Sequence, residues 1–322
     1  MPKIKKVSVI LDTDIETDCD DVGAIAALHS LADRGEADIL GMICSSPLQW
    51  GAPCLQVLNT FYHRPDIPIG TFVAENMQEQ YARYLQEVEE LTPERLYNRH
   101  IAEHYPSARD KDAYYPESTS VYRKLLSEQP DRSVVICAIG FLGPLAQLLQ
   151  SQPDDNSALS GMELVKTKVR LLVSMAIGTF PIGKDRFNWL MDPLSAAYVL
   201  NHWPVAIAVS EHGEHIRTGA GLRSALPEPH PVRVAYERYL QGAERSRASW
   251  DQVAVLYAVR GTADLFAERA GYRINYDQHT HRHCWSRSGY RDNRDDRYVW
   301  PILPPEEMAL LIENLMIDAK GR

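Results

Sequence analysis

Val7-Ser8-Val9-Ile10-Leu11-Asp12-Thr13-Asp14-Ile15-Glu16-Thr17-Asp18-Cys19-Asp20-Asp21-Val22-Gly23-Ala24-Ile25-Ala26-Ala27-Leu28 decides the fold of this chain. Val7–Leu11 is a short apolar run rich in β-branched residues, the pattern of a buried strand. Val22–Leu28 supplies the apolar residues of a helix. Between them, Asp12, Asp14, Asp18, Asp20 and Asp21 put five carboxylates within ten residues. The acids therefore occupy a strand-to-helix turn at the carboxyl end of a strand, where open α/β sheets bind ligands. Carboxylates this dense repel one another unless a cation joins them. A solvated turn with a capping aspartate accounts for one or two acids, not for five between two apolar segments. The turn is expected to hold a hard cation.

Outward from this turn the same alternation continues. Further strands are expected at Ile39–Cys44, Ser133–Ala138, Val169–Val173 and Val205–Val209. Helices are expected at Pro53–His63, Val121–Glu128, Leu142–Gln150, Pro193–Asn201, Val232–Gln241, Gln252–Arg260 and Pro305–Lys320. This order predicts an α/β fold with an open, mainly parallel central sheet flanked by helices. The 322 residues are read as a single domain. Within it, residues 75–107 are rich in Glu, Gln, Arg and Tyr and predict a polar helical insertion, either a lid or a solvated outer layer. Residues 275–300 are dense in Arg, His and aromatics and predict an irregular or hairpin excursion before the last helix.

Bulk composition excludes several classes. Net charge is −9, with no long basic run, which argues against a binder of nucleic-acid polymers. No apolar stretch approaches the length of a membrane span. The five cysteines contain no Cys-x-x-Cys pair, so no disulfide framework is expected. With a strand starting at Val7 no signal peptide is expected, and the reading is a cytoplasmic protein of reduced thiols. His279, His281 and His283 with Cys284 offer zinc-type ligands. They lack a second ligand pair, so a surface or pocket-rim role is expected instead. His230, between Pro229 and Pro231, is either an alternative acid or a loop histidine.

Two more acids stand at helix starts. Asp251 precedes Val253-Ala254-Val255-Leu256-Tyr257, and Asp192 precedes Pro193. Capping alone would explain each. In register with the acidic turn, however, these segments resemble a known family. Asp-Thr-Asp-Ile-x-x-Asp-x-Asp-Asp, Gly143-Pro144-Leu145-Ala146, Phe187-Asn188-Trp189-Leu190-Met191-Asp192-Pro193 and Trp250-Asp251 are similar, in order, to the motifs of nucleoside hydrolases. The resemblance runs from about residue 7 to residue 262. It implies a Rossmann-like core and a homodimer or homotetramer. It also implies Ca²⁺-dependent hydrolysis of the N-glycosidic bond of a ribonucleoside, with purine favoured.

Carried over by position, the resemblance implies that Asp14, Asp21, Asp251 and the backbone carbonyl of Leu142 hold Ca²⁺. Asp14 would accept the proton of the attacking water. Asp20 and Asn188 would hold the ribose hydroxyls, and Met175 would pack near the sugar. Asp12 and Asp18 are expected to be structural. Three positions depart from the family pattern. Trp250 stands where many members carry a histidine; it cannot donate a proton as an acid, but it can stack on a purine. Trp50, Tyr236 or Tyr239 is expected to complete the sandwich. Arg186, near Lys184, replaces a glutamate that faces the 5′ side of the ribose, and suits an anionic 5′ substituent unless it pairs with Asp185. Glu16 replaces a turn glycine, which implies either a changed turn conformation or an extra carboxylate near the mouth. These departures keep two other readings open. One is a hydrolase of another ribosyl compound or of a 5′-phosphorylated nucleoside. The other is a catalytically weak protein that binds a ribosyl ligand.

Overall fold

Strand β1 (Val7–Thr13) is buried from Val9 onward, and both its neighbours run parallel to it. A strand covered on both faces needs apolar residues without alternation, which is why the run Val7–Leu11 reads as it does. The computed structural model describes residues 6–16, 18–74, 79–91, 94–110, 113–178, 180–289 and 294–321. Among them the other strands are β2 (Ala37–Cys44), β3 (Ile69–Thr71), β4 (Val134–Ala138), β5 (Val169–Met175), β6 (Ile182–Gly183), β7 (Ile207–Ser210), β8 (Arg217–Thr218), β9 (Arg247–Ala248), β10 (Phe266–Asp277), β11 (Arg282–Arg287) and β12 (Asp296–Pro301). Ten of them form one sheet in the order β3-β2-β1-β4-β5-β7-β12-β10-β11-β6. β8 and β9 make a separate antiparallel pair.

From β3 to β12 the strands are parallel. The chain leaves β1 toward β2 and β3, then returns to β1's other side with β4 and β5. The strand order thus reverses between β1 and β4, and a crevice opens at their carboxyl ends. The acidic turn lies there. Two apolar cores cover the two faces of the sheet. In the first, the helix Asp20–Asp33 is buried along most of its length and packs on the helices Trp250–Arg260 and Pro305–Asp318. That packing brings together the acidic N-terminal turns of the first two helices.

Of the two alternatives for 275–300 the hairpin is present, and it belongs to the main sheet. β10 and β11 form a hairpin, and β12 joins β10 antiparallel and β7 parallel. These strands are half-exposed, so their sequence alternates with Arg and His rather than forming apolar runs. A buried pair fixes the junction. Arg294 donates to Asp296 at 2.7 Å and to the carbonyl of Leu200 at 2.6 Å. Asp296 in turn accepts from the backbone N–H of Ile207 at 3.0 Å and of Ile274 at 2.9 Å.

The segment 75–107 contains the helices Glu79–Leu91 and Tyr97–His104. Residues 75–78 and 92–93 of that insertion, and 290–293 of the excursion, lie outside the described residues. The second helix is no solvated layer: Tyr97, Asn98 and Ile101 are buried. Tyr97 donates its hydroxyl to the carbonyl of Asp18 at 2.6 Å, and Asn98 donates to the carbonyl of Ile15 at 3.2 Å. The insertion therefore braces the acidic turn from outside. No described helix is long and apolar enough to cross a membrane.

Candidate active site

A cleft of about 480 Å³ opens over the carboxyl ends of β1, β4 and β5. Its acid end collects Asp14, Asp18, Asp20, Asp21 and Asp251, and Glu16 lies beside them. Carboxylate oxygens of Asp18, Asp21 and Asp251 all lie within 4.8 Å of one another. Thr13 Oγ1 donates to Asp21 and fixes its rotamer. Asp14 leaves the end of β1 close to Gly140. A Cβ at that glycine would stand 2.5 Å from the Asp14 backbone nitrogen, so this close crossing of the β1 and β4 ends requires glycine.

Asp14, Asp20, Asp21 and Asp251 are all buried. Burial, and next the charges of their acidic neighbours, push the carboxyl pKa of each well above the usual range. Four buried acids of one sign need positive charge beside them to ionise together. The donors are hard oxygens, the class that Ca²⁺ selects. By charge, donor type and spacing, the residues present fit a divalent cation.

Asp18, expected to be structural, stands in the tightest acid trio, where Asp14 does not. Leu142 does not line the cleft. Its carbonyl accepts the Ala146 N–H at 3.0 Å in the first turn of the helix Gly143–Gln150. The residue that lines the cleft here is Ile139, directly after β4. A parallel strand delivers its first post-strand residue to the crevice, and the chain has already turned into the helix by Leu142. Asp12 is turned away from the acid cluster. It accepts from Tyr122 at 2.7 Å, and burial pushes its pKa up to about 7.

Asn188 and Met175 meet beside the acids. The Asn188 amide nitrogen donates to the carbonyl of Ile139 at 2.9 Å and lies 3.0 Å from Met175 Sδ. The amide oxygen, on this assignment, remains for a ligand hydroxyl. Arg186 sits exposed at the mouth without an ion pair among the described residues. It does not pair with Asp185. That buried carboxylate accepts backbone N–H groups from Ile177 at 2.5 Å, Phe187 at 3.0 Å and Trp189 at 2.8 Å.

At the opposite wall stand Trp250, Tyr239 and Arg247. Arg247 donates to Asp18 at 2.5 Å and places Nε 3.5 Å from Asp20. Its guanidinium lies 4.9 Å from the centroid of the Trp250 ring and 5.6 Å from that of Tyr239. Of the aromatics expected to partner Trp250, only Tyr239 lines the cleft. Tyr236 is buried and accepts from Gln252 at 2.8 Å, and Trp50 carries Arg99 over its ring. Arg247 carried no signal in the sequence, because its partner Asp18 is 229 positions away. Tyr84, Glu87, Arg95 and Leu96 of the insertion also line the cleft.

Two histidine readings drop away. His230 caps the helix Pro231–Leu240, accepting from Val232 N–H at 3.3 Å, and burial pulls its pKa down to about 4. Among the described residues the His279–Cys284 segment assembles no three-ligand group. His283 is buried against Trp189, with ring centroids 5.4 Å apart.

The fold and the cleft define an α/β protein of the nucleoside hydrolase fold. The type III effector protein XopQ, in a structure complexed with adenosine diphosphate ribose, shares it with a TM-score of 0.71 at 16% identity over 98% of this chain and 94% of that one. A purine-preferring ribonucleoside hydrolase from Gardnerella vaginalis matches with a TM-score of 0.68 at 15% identity, covering 97% and 98%. An inosine–uridine-preferring nucleoside hydrolase from Bacillus anthracis matches with a TM-score of 0.62 at 13% identity, covering 98% and 99%. No family model matches the sequence, and no curated protein is similar to it.

Proposed function

We propose that this protein hydrolyses the N-glycosidic bond of a ribonucleoside, with purine favoured, and depends on Ca²⁺. The observation that carries the reading is the convergence of Asp14, Asp18, Asp21 and Asp251 with Asn188 and Met175 in one cleft. Asp14, Asp18, Asp21 and Asp251 would hold the cation. When bound, a divalent cation supplies a water of lowered pKa. Asp14 accepts a proton from the attacking water, whose oxygen bonds to C1′ of the ribose. The C1′–N bond breaks and its electron pair leaves with the base, through an oxocarbenium-like transition state. Asp20 and the Asn188 amide oxygen hold ribose hydroxyls, and Met175 covers the sugar. The base leaves along the Trp250–Tyr239 wall, where stacking raises its basicity and solvent supplies the proton. The helix Glu79–Leu91 acts as a lid over this cleft.

Arg186 at the mouth, without an ion pair among the described residues, favours a second reading, a ribosyl substrate with an anionic 5′ group. The XopQ structure was obtained with a ligand of that kind, adenosine diphosphate ribose. The absence of a histidine at Trp250 is compatible with a weak catalyst that chiefly binds its ligand. Ribose release from a panel of nucleosides and 5′-nucleotides, with Ca²⁺ and with chelator, tests these readings. Chelator-sensitive release from inosine or adenosine supports the hydrolase. No release from any compound, together with measurable binding, leaves the binding protein.

A further inference from the structure

Beside the cleft lies a second cavity of about 510 Å³ that shares Ile177 and Arg186 with it. Both volumes lie within the range of small-molecule sites. A ribonucleoside held by the acid end would fill the first and leave the second empty. Arg186 lines both cavities and Lys184 the second, and neither makes an ion pair among the described residues. The acid next to them in sequence, Asp185, accepts four backbone N–H groups, from Ile177, Phe187, Trp189 and Leu190, and pairs with neither cation among the described residues. Glu211, on the same wall, is also engaged: it accepts from Gly178 N–H at 3.1 Å and from the Tyr298 hydroxyl. Ile216, Pro301 and Leu303 line the same cavity, together with His212, Glu214 and His215. A lining that combines apolar and hydrogen-bonding side chains suits a sugar or base ring. Unpaired cations at the entrance suit phosphate.

We infer that the second cavity is a subsite for the far end of a ribosyl 5′-phosphate ester. The phosphate chain lies at Arg186 and Lys184, and a second ring-bearing group sits against Leu303 and His215. The inference rests on the ribosyl reading of the cleft and extends it: the substrate is a nucleoside diphosphate ester rather than a free nucleoside.

Equilibrium binding to the full chain with Ca²⁺ tests it, by calorimetry with adenosine, adenosine 5′-monophosphate and adenosine 5′-diphosphoglucose. Affinity should rise at least about tenfold with the phosphate and again with the diphosphate sugar, each step matching one set of contacts. Lys184→Gln should reduce the gain from phosphate while leaving adenosine affinity unchanged. His215→Trp, an exposed position at the second cavity, should abolish only the gain from the sugar. If adenosine and its monophosphate bind and the diphosphate sugar binds no better, or if His215→Trp leaves its advantage intact, the second subsite is wrong and the cleft reading stands. If no ribosyl compound binds with or without Ca²⁺, the cleft reading fails and the subsite with it. Melting temperatures of both variants check folding. Lys184→Gln, at an exposed side chain, keeps the test available if the tryptophan variant misfolds.

Discussion

Replacing Arg247 with methionine removes a cation that faces the acid cluster while keeping an unbranched apolar stem in its place. Arg247 pairs with Asp18 at 2.5 Å and faces Asp20 at 3.5 Å, with side chains only 25%, 23% and 2% exposed. Removing one partner of a fully buried pair costs about 3–5 kcal/mol, because a buried charge is left without its counter-charge. A fully exposed pair contributes about 0–1 kcal/mol. At a quarter exposure, Arg247→Met should cost about 2–3 kcal/mol in chelator, between those limits. For a chain of this size the melting temperature should fall by about 3–4 °C. Saturating Ca²⁺ would supply the missing positive charge, so the deficit should shrink to below about 1 kcal/mol. Calorimetric melts of both proteins, with chelator and with Ca²⁺, measure this directly. An equal loss in both conditions, or no loss in chelator, would refute the idea that Arg247 and the cation neutralise the same acids.

Three further outcomes are expected. Asp14→Asn should lower kcat for ribose release by at least about 100-fold with little change in KM; activity surviving within about tenfold would show that another group accepts the proton. Trp250→Ala should lower kcat/KM for a purine nucleoside by about tenfold, and Trp250→Phe should retain most of it, since stacking needs only an aromatic face. His29 reports on pH. Burial, and then the charge of Arg64, pull its pKa down to about 3, against 6.5 when exposed. The unfolded chain therefore binds the proton first, so the stability is complete above about pH 6.5 and is lost as pH falls toward about 3. The shift corresponds to at most about 4–5 kcal/mol. Urea unfolding of His29→Gln should show a shallower loss between those pH values, and an unchanged slope would contradict the assignment.

The parallel half of the sheet was legible because β1, β2, β4, β5 and β7 are largely covered on both faces, and burial imposes unbroken apolar runs. The strands β10 to β12 were not, because half-exposed antiparallel strands carry Arg, His and Tyr with no clear period. The acids after β1 were legible as a unit, since local density alone demanded a counter-charge. Their division of labour was not. Asp18 reaches the trio through a turn braced by Tyr97, from a helix 79 positions further along. Arg247 reaches Asp18 from the β8–β9 pair, and nothing near it in sequence marks it.

The central claim is that the acids at the β1 end hold one divalent cation together with Asp251. Calorimetric titration of Ca²⁺ into chelator-stripped protein tests it most directly. One bound ion per chain is expected, with binding abolished or weakened at least about 100-fold in Asp21→Asn and in Asp251→Asn, since each removes a charged oxygen ligand. Absence of binding in the unaltered chain, or unchanged binding in both variants, would contradict the account.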